Sequence, residues 1–356
     1  MKIHILAEVK NGPWGGTSQF LKALRRQWEI SGIYENSPEK AEVILFNSYP
    51  TGTEYLFDKL YKLKKRYPEK IVLYRIDGPI SGYRGTGIGI DRAIALCCDI
   101  FADGIVFQSE WSRKKNKEKF NIKTKYESVI LNAPDNTLFN NNDKEVFSPF
   151  RKTRLISSSW STNPNKGFDI LEWLDEHLDF SKYDFMFVGN SPIKFKNIKM
   201  HPPVASPELA TLLKKHDIYI FTSKIEACSN ALIEALACGL PTVALNATSN
   251  PEVVRQGGEL FTGTENILDK LNLVTKSYSR YLAFLPQFKI ESVAYDYLSI
   301  AKSIYNASQN KIYQPKVITL ERKKLFFLLK TLVWQNKIKN ILKTVLKFLL
   351  RPFYEK

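Results

Sequence analysis

In 356 residues there are only four cysteines and four histidines, no Asp-x-Asp tripeptide, and no uninterrupted apolar run approaching the ~20 residues of a membrane span. Each shortage closes off a class of protein. Cys97, Cys98, Cys228 and Cys238 form no C-x-x-C pair and sit among apolar neighbours, so they read as reduced structural thiols and not as a disulfide framework. His4, His177, His201 and His216 are scattered, without the close pairing a zinc site requires, so no metal is expected. The longest apolar stretch is broken by Lys330, and the amino-terminal MKIHILAEVK has too short an apolar core for a secretory signal, which points to a cytoplasmic location. Acidic residues are also scarce, 36 against 52 basic ones, for a net charge of +16. Half of that excess lies in residues 321–356, where ten basic residues face two acidic ones, and such asymmetry predicts an anionic surface as partner.

What is present is a regular alternation. Strand-like KIHILA, EVILFNSY, KIVLYRID, GIVFQS and YESVILN are interleaved with helix-like SQFLKALRRQW, EYLFDKLYKLKKRY and DRAIALCCDIFA, the signature of parallel α/β architecture. A polar, turn-rich break covers residues 140–154, after which RLISSS, KGFDILEWLDEH, YDFMFVGN, SPELATLLKK and DIYIFTS repeat the pattern. At this length two cores are expected, so the reading is an α/β fold of two Rossmann-like domains, residues 1–148 and 149–307, with a cleft between them. The last helix of the second range is placed so that it can pack back on the first domain. Residues 308–356 are expected to form a linker and a tail.

In EACSNALIEALACGLP, residues 226–241, two glutamates lie eight positions apart. HDIYIFTS before them reads as a buried strand, the apolar spacing between them is helical, and Gly239 with Pro241 ends the helix ahead of a new strand, PTVAL. Glu226 falls in a strand-to-helix loop and Glu234 inside the helix. The run TSKIEACSNALIEALACGLPTVA resembles the E-x7-E signature of retaining glycosyltransferases of family 4, whose GT-B fold has two facing Rossmann-like domains. NKGFDIL, YDFMFVGN and NPEVVRQGGELF follow the same resemblance in the expected order, and GPWGGTSQFLKAL, FADGIVFQSEWS and VILNAPDNTLF extend it more loosely into the first half.

The resemblance implies a nucleotide-diphosphate sugar as donor, with no further cofactor. It places Glu234 on the ribose, Glu226 on the donor sugar, and the amides of Ser229, Asn230 and Ala231 with Lys166 at the diphosphate, and gives Gly15 and Gly16 to the glycine-rich first loop. Physical chemistry agrees: an ionised carboxylate accepts from two hydroxyls at once, and a helix start favours anions. Two departures matter. SSSWSTNPNKG lacks the Arg that family members carry before Lys166, which shifts phosphate neutralisation to Lys166, the helix dipole and the hydroxyls of Ser159 or Ser161. In LYRIDGPI, Asp77 stands where many members have His; it is open to a catalytic or sugar-binding role or to capping an Asp-Gly-Pro turn. Arg84, Asp91 and Arg92 beside it are acceptor-side candidates.

Other functions are weaker on the residues. GPWGGTS is not the dinucleotide fingerprint, and the missing Asp-x-Asp argues against the metal-dependent glycosyltransferase architecture. Nucleic-acid binding would need an aromatic platform or recognition helix alongside the charge. A catalytically silent protein of the same fold stays open. From residue 335 a helical wheel puts Ile338, Ile341, Leu342, Val345, Leu346 and Leu349 opposite Lys337, Lys339, Lys343, Lys347 and Arg351. Together with the apolar girth of residues 325–334, this predicts peripheral attachment of residues 321–356 to an anionic membrane, on its inner face, near a glycan or lipid-linked acceptor.

Overall fold

The computed structural model describes residues 1–9, 16–50, 52–84 and 87–334, with only the backbone for residues 83 and 84. The first series of apolar runs forms β1 (Ile3–Ala7), β2 (Val43–Asn47), β3 (Ile71–Ile76), β4 (Gly104–Phe107) and β5 (Tyr126–Val129), all parallel in that order. Tyr34 bridges Ile3 in parallel on the free side of β1, so the chain reverses its direction of travel across the sheet at β1. Alternate side chains of β2 go to opposite faces: Val43 and Leu45 join one apolar cluster, Ile44 and Phe46 another. A parallel sheet covered by helices on both faces demands this, which is why these strands read as continuous apolar runs.

The second series forms β6 (Thr153–Ser159), β7 (Tyr183–Gly189), β8 (Lys199–His201), β9 (Ile218–Phe221), β10 (Thr242–Leu245) and β11 (Gly258–Phe261). Their order, β11-β10-β9-β6-β7-β8, reverses between β6 and β9. Ligands in open α/β sheets bind outside the carboxyl ends of strands at such a reversal, here beyond Ser159 and Phe221. The two Rossmann-like units face one another as the GT-B architecture requires, and one apolar cluster runs through both, from Ile3 and Leu24 to Leu232 and Val253.

The chain then returns to the first unit. The helix Ile290–Gln309 lies on the helix Gly16–Ile30 and on β3, β4 and β5. Trp28 Nε1 donates to the Ala294 carbonyl at 3.2 Å, and a Cβ at Gly104 would stand 2.6 Å from Ile304 Cδ1, the tip of a side chain, so the helix packs closely over that glycine. Beyond it, buried Asp103 accepts from the Tyr313 hydroxyl at 2.9 Å and the Lys316 amide at 2.7 Å, while Tyr61 donates to the Leu320 carbonyl at 2.9 Å.

A correction to the tail follows. Residues 322–334 are helical, and Leu325 and Leu329 are buried in the first unit's second cluster together with Ile318, Phe57 and Leu60. The apolar girth of residues 325–334 is therefore largely spent on the protein's own core, with Phe327 and Trp334 left exposed. The lysine-faced segment 337–351 lies outside the described residues. Among the described residues no helix is long and apolar enough to cross a membrane.

Leu325→Ala is expected to cost about 2–5 kcal/mol, the range for truncating a buried leucine. Removing residues 321–356 is expected to lower the melting temperature of the first unit well below that of a chain shortened only from residue 335. Equal melting of the two shortened chains would show that the docked helix contributes nothing.

Candidate functional site

The loop after β6 is shaped by its own residues. Asn163 Oδ1 accepts from the Asn165 amide at 2.9 Å, Pro164 opens a 3-10 turn, Pro164–Lys166, and Gly167 takes φ +75°. A Cβ on Gly167 would fall 2.1 Å from the Thr222 carbonyl oxygen, so only glycine lets this loop lie against the end of β9. Thr222 Oγ1 donates to the Lys166 carbonyl at 2.8 Å and the Lys224 amide to the Asn165 carbonyl at 2.8 Å, which stitches the two loops together. Lys166 Nζ then reaches Glu226 Oε1 at 2.6 Å, and Ser223 Oγ donates to the same oxygen at 2.6 Å. Among the described residues no hydrogen bond reaches Glu226 Oε2. A cation near a helix start is disfavoured by the dipole; here Glu226 offsets part of that cost.

Ser229 caps the helix Asn230–Ala237, its Oγ accepting from the Leu232 amide at 3.4 Å, and Ser229, Asn230 and Ala231 all border a cleft of about 330 Å³ between the units. The first-turn amides have no intrahelical acceptor, which makes this end a place for an anion. Glu234 lies one turn further on and lines the same cleft. No hydrogen bond or ion pair reaches its carboxyl group among the described residues, and burial pushes its pKa up to about 8. Ser159 and Ser161 also line the cleft, but Ser159 Oγ donates to the Ser161 carbonyl at 2.9 Å and Ser161 Oγ accepts from the Asn163 amide at 3.2 Å, so both hydroxyls help to build the loop.

The opposite wall carries Asp77, at the end of β3. Its carboxylate does not cap the Asp-Gly-Pro turn. It accepts from the Tyr49 hydroxyl and stands 3.4 Å from Arg75 Nη1, while its carbonyl accepts from Asn116 Nδ2 at 2.8 Å and Ser112 Oγ at 3.1 Å. Burial raises its pKa to about 7. Asp91 lies away from the cleft lining: its two oxygens accept from the amides of Ile80 at 2.7 Å and Ser81 at 2.9 Å, opening the short helix Ile80–Arg84. Its acceptor-side assignment is thereby corrected to a backbone-capping one. Arg92 is exposed and does not border the cleft. Gly16 is the first residue of the helix Gly16–Ile30; Gly15 and the Arg84 side chain lie outside what is described.

Sequence reasoning missed Arg75 and Asn132, both buried at the seam between the units. A signal was there for Arg75, a cation inside the otherwise apolar strand IVLYRI. Asn132 lies in VILNAPDNTLF, a segment the resemblance covers without singling that residue out. Among the described residues no group of three or more metal-ligating side chains occurs, and the four cysteines are free and buried.

The chain carries four likenesses to known proteins. Residues 161–273 match the family described as Glycosyl transferases group 1. A protein of Klebsiella pneumoniae described as an uncharacterized 41.2 kDa protein in the cps region is 26% identical over 179 residues, 48% of this chain and 49% of that one, so the match spans about half the relative's length. Sucrose-phosphate synthase from Thermosynechococcus elongatus superposes with a TM-score of 0.65 at 14% identity over 86% of this chain and 100% of that one. Anabaena HepE in complex with UDP does so with a TM-score of 0.59 at 16% identity over 87% and 100%. At these identities the solved structures speak for the fold. The family match itself is confined to residues 161–273, within the second unit.

A carboxyl group whose folded pKa is raised from 4.5 to about 8 is penalised in its ionised form. The stability it permits is complete below pH 4.5 and is lost as pH rises towards 8. Glu234→Gln is therefore expected to melt higher than wild type at pH 8 and at nearly the same temperature near pH 4.5. Equal melting at both pH values would mean the carboxylate is compensated after all.

Proposed function

We propose that this chain is a retaining glycosyltransferase that moves a sugar from a nucleotide-diphosphate donor to a glycan or lipid-linked acceptor without a metal ion. The observation that carries the reading is Glu234: an acceptor-only group, when ionised, left without a donor among the described residues, one helical turn beyond the Ser229-capped helix start and in the cleft at the strand-order reversal. A ribose supplies the two hydroxyls such a group lacks, and a diphosphate suits the amides ahead of it. Lys166 meets the phosphates from the neighbouring loop and Glu226 turns its open oxygen to the sugar.

In the retaining transfer the bond from the anomeric carbon to the diphosphate oxygen breaks as the acceptor oxygen bonds the same face, and the acceptor's proton passes to the departing phosphate. The protein's task is then to hold developing negative charge, which preorganised amides and Lys166 do at low local dielectric. HepE in complex with UDP makes UDP the first probe for the donor base. The Klebsiella relative, named for a cps region, favours a role in polysaccharide assembly, and the basic segment beyond residue 334 favours an acceptor at an anionic membrane surface, reached from the cytoplasmic side.

Glu234→Ala is expected to weaken UDP binding by tens to thousands of times, since two charge-assisted hydrogen bonds are lost at roughly 1.5–3 kcal/mol each; unchanged calorimetric affinity in the folded variant would remove the ribose assignment. Glu226→Ala is expected to spare UDP and to weaken the sugar nucleotide and its turnover. Turnover is expected to persist in chelator; complete, metal-reversible loss would sink the metal-free reading. Sedimentation with anionic liposomes is expected for the full chain and not for one shortened from residue 335, and full binding by the shortened chain would separate the membrane from the tail.

A further inference from the structure

A second hollow lies on the first unit, outside the cleft. It is bounded by the first turns of the helices Glu54–Arg66 and Ile88–Phe101 and by the returning helix of residues 322–334. Its volume of about 770 Å³ falls within the range of roughly 300–1,000 Å³ that holds small ligands. Buried Phe57 and Leu329 line it together with half-buried Ile90, Phe326 and Val333, and the exposed Trp334 borders it. Two charged side chains, Glu54 and Lys330, complete the rim, and among the described residues neither forms an ion pair. The hollow adjoins the first-unit wall of the cleft at two points. Pro50, on its edge, follows Tyr49, whose hydroxyl donates to Asp77; Ile90 precedes Asp91, which shares a small pocket with Asp77.

The lining says what kind of molecule fits. Its side chains offer hydrogen bonds only at Glu54, Lys330 and the Trp334 ring nitrogen, so an occupant has to be apolar along most of its length. The unpaired Lys330 ammonium asks for an anion at one end. Beyond Trp334 the chain continues into residues 335–356, with six basic residues and one acidic, so positive charge accumulates on the same side of the sequence. A tryptophan beside lysines at the edge of an apolar surface is the composition of a membrane boundary, where the ring and the ammonium each keep one end wet. We propose that this hollow seats the hydrocarbon chain of a lipid phosphate, with Lys330 on the phosphate. The returning helix thus builds a lipid site on the acceptor side as well as closing the first unit's core. That the seated lipid carries the sugar acceptor rests on the glycosyltransferase reading; occupation of the hollow does not.

The test is calorimetry of the full chain with hexyl, octyl and decyl phosphate, each below its micelle concentration, and with inorganic phosphate as the headgroup alone. Each methylene that enters the hollow is expected to tighten binding by up to about fourfold. Val333 is half-buried in the last described turn, where a larger or charged side chain is tolerated. Val333→Trp, which fills the hollow, and Val333→Glu, which places a charge in it, are both expected to abolish most of that gain with length, and either variant decides if the other does not fold. Lys330→Glu is expected to weaken all three alkyl phosphates by a similar factor, about tenfold or more, while keeping the gain. Wild-type affinity that does not rise with chain length overturns the proposal. An undiminished rise in the Val333 variants also overturns it, by assigning the binding to another surface. UDP binding is measured on the same proteins: its absence would sink the donor reading while the alkyl phosphates still decide the hollow.

Discussion

A carboxyl group at the wall of a low-dielectric cleft is costly, and this protein's centre tolerates that cost at Glu234, which has no hydrogen-bond partner among the described residues, and, across the gap, at Asp77, which has only the Tyr49 hydroxyl and a long contact with Arg75. Burial raises both groups towards or above neutrality, although each sits on a rigid support, a capped helix and the end of an interior strand. A ligand rich in hydroxyls would offset that cost. This is the pattern expected where a site is preorganised for a partner not yet present.

Lys166 and Glu226 show the opposite strategy. Their 2.6 Å contact joins loops from β6 and β9 that glycine at position 167 allows to touch, and each charge neutralises the other. A short ion pair thus joins the two loops at the strand-order reversal.

Much of this was legible beforehand, and the reason is locality. The alternation of strands and helices, the loop position of Glu226, the helical position of Glu234 and the turn carrying Lys166 all depend on residues within about a dozen positions of one another. What escaped depends on contacts made at long range. Asn132 has no distinguishing neighbours, and its importance comes from Cys228 and Asn230, which the fold alone brings to it. Asp91 reads as an acceptor-side candidate until its two oxygens are seen on the Ile80 and Ser81 amides. For residues 325–334 the apolar pattern was read correctly as needing cover, but a helical wheel does not say what supplies it; Phe57 and Leu60, more than 250 positions away, do.

That returning chain has a consequence for how the protein is made. The first sheet is complete by Val129, yet Trp28, Gly104 and Asp103 wait for partners at Ala294, Ile304 and Tyr313, and a further apolar patch waits for Leu325 and Leu329. During vectorial synthesis at about 5–20 residues per second, the leading half leaves the ribosome well before the segments that seal it, with apolar surface open for roughly ten seconds or longer. The second sheet meets no such delay, since its strands and most of its helices lie within one contiguous stretch. The trailing half is therefore placed to become native first, and the nascent leading half is the part most exposed to chaperones and to aggregation.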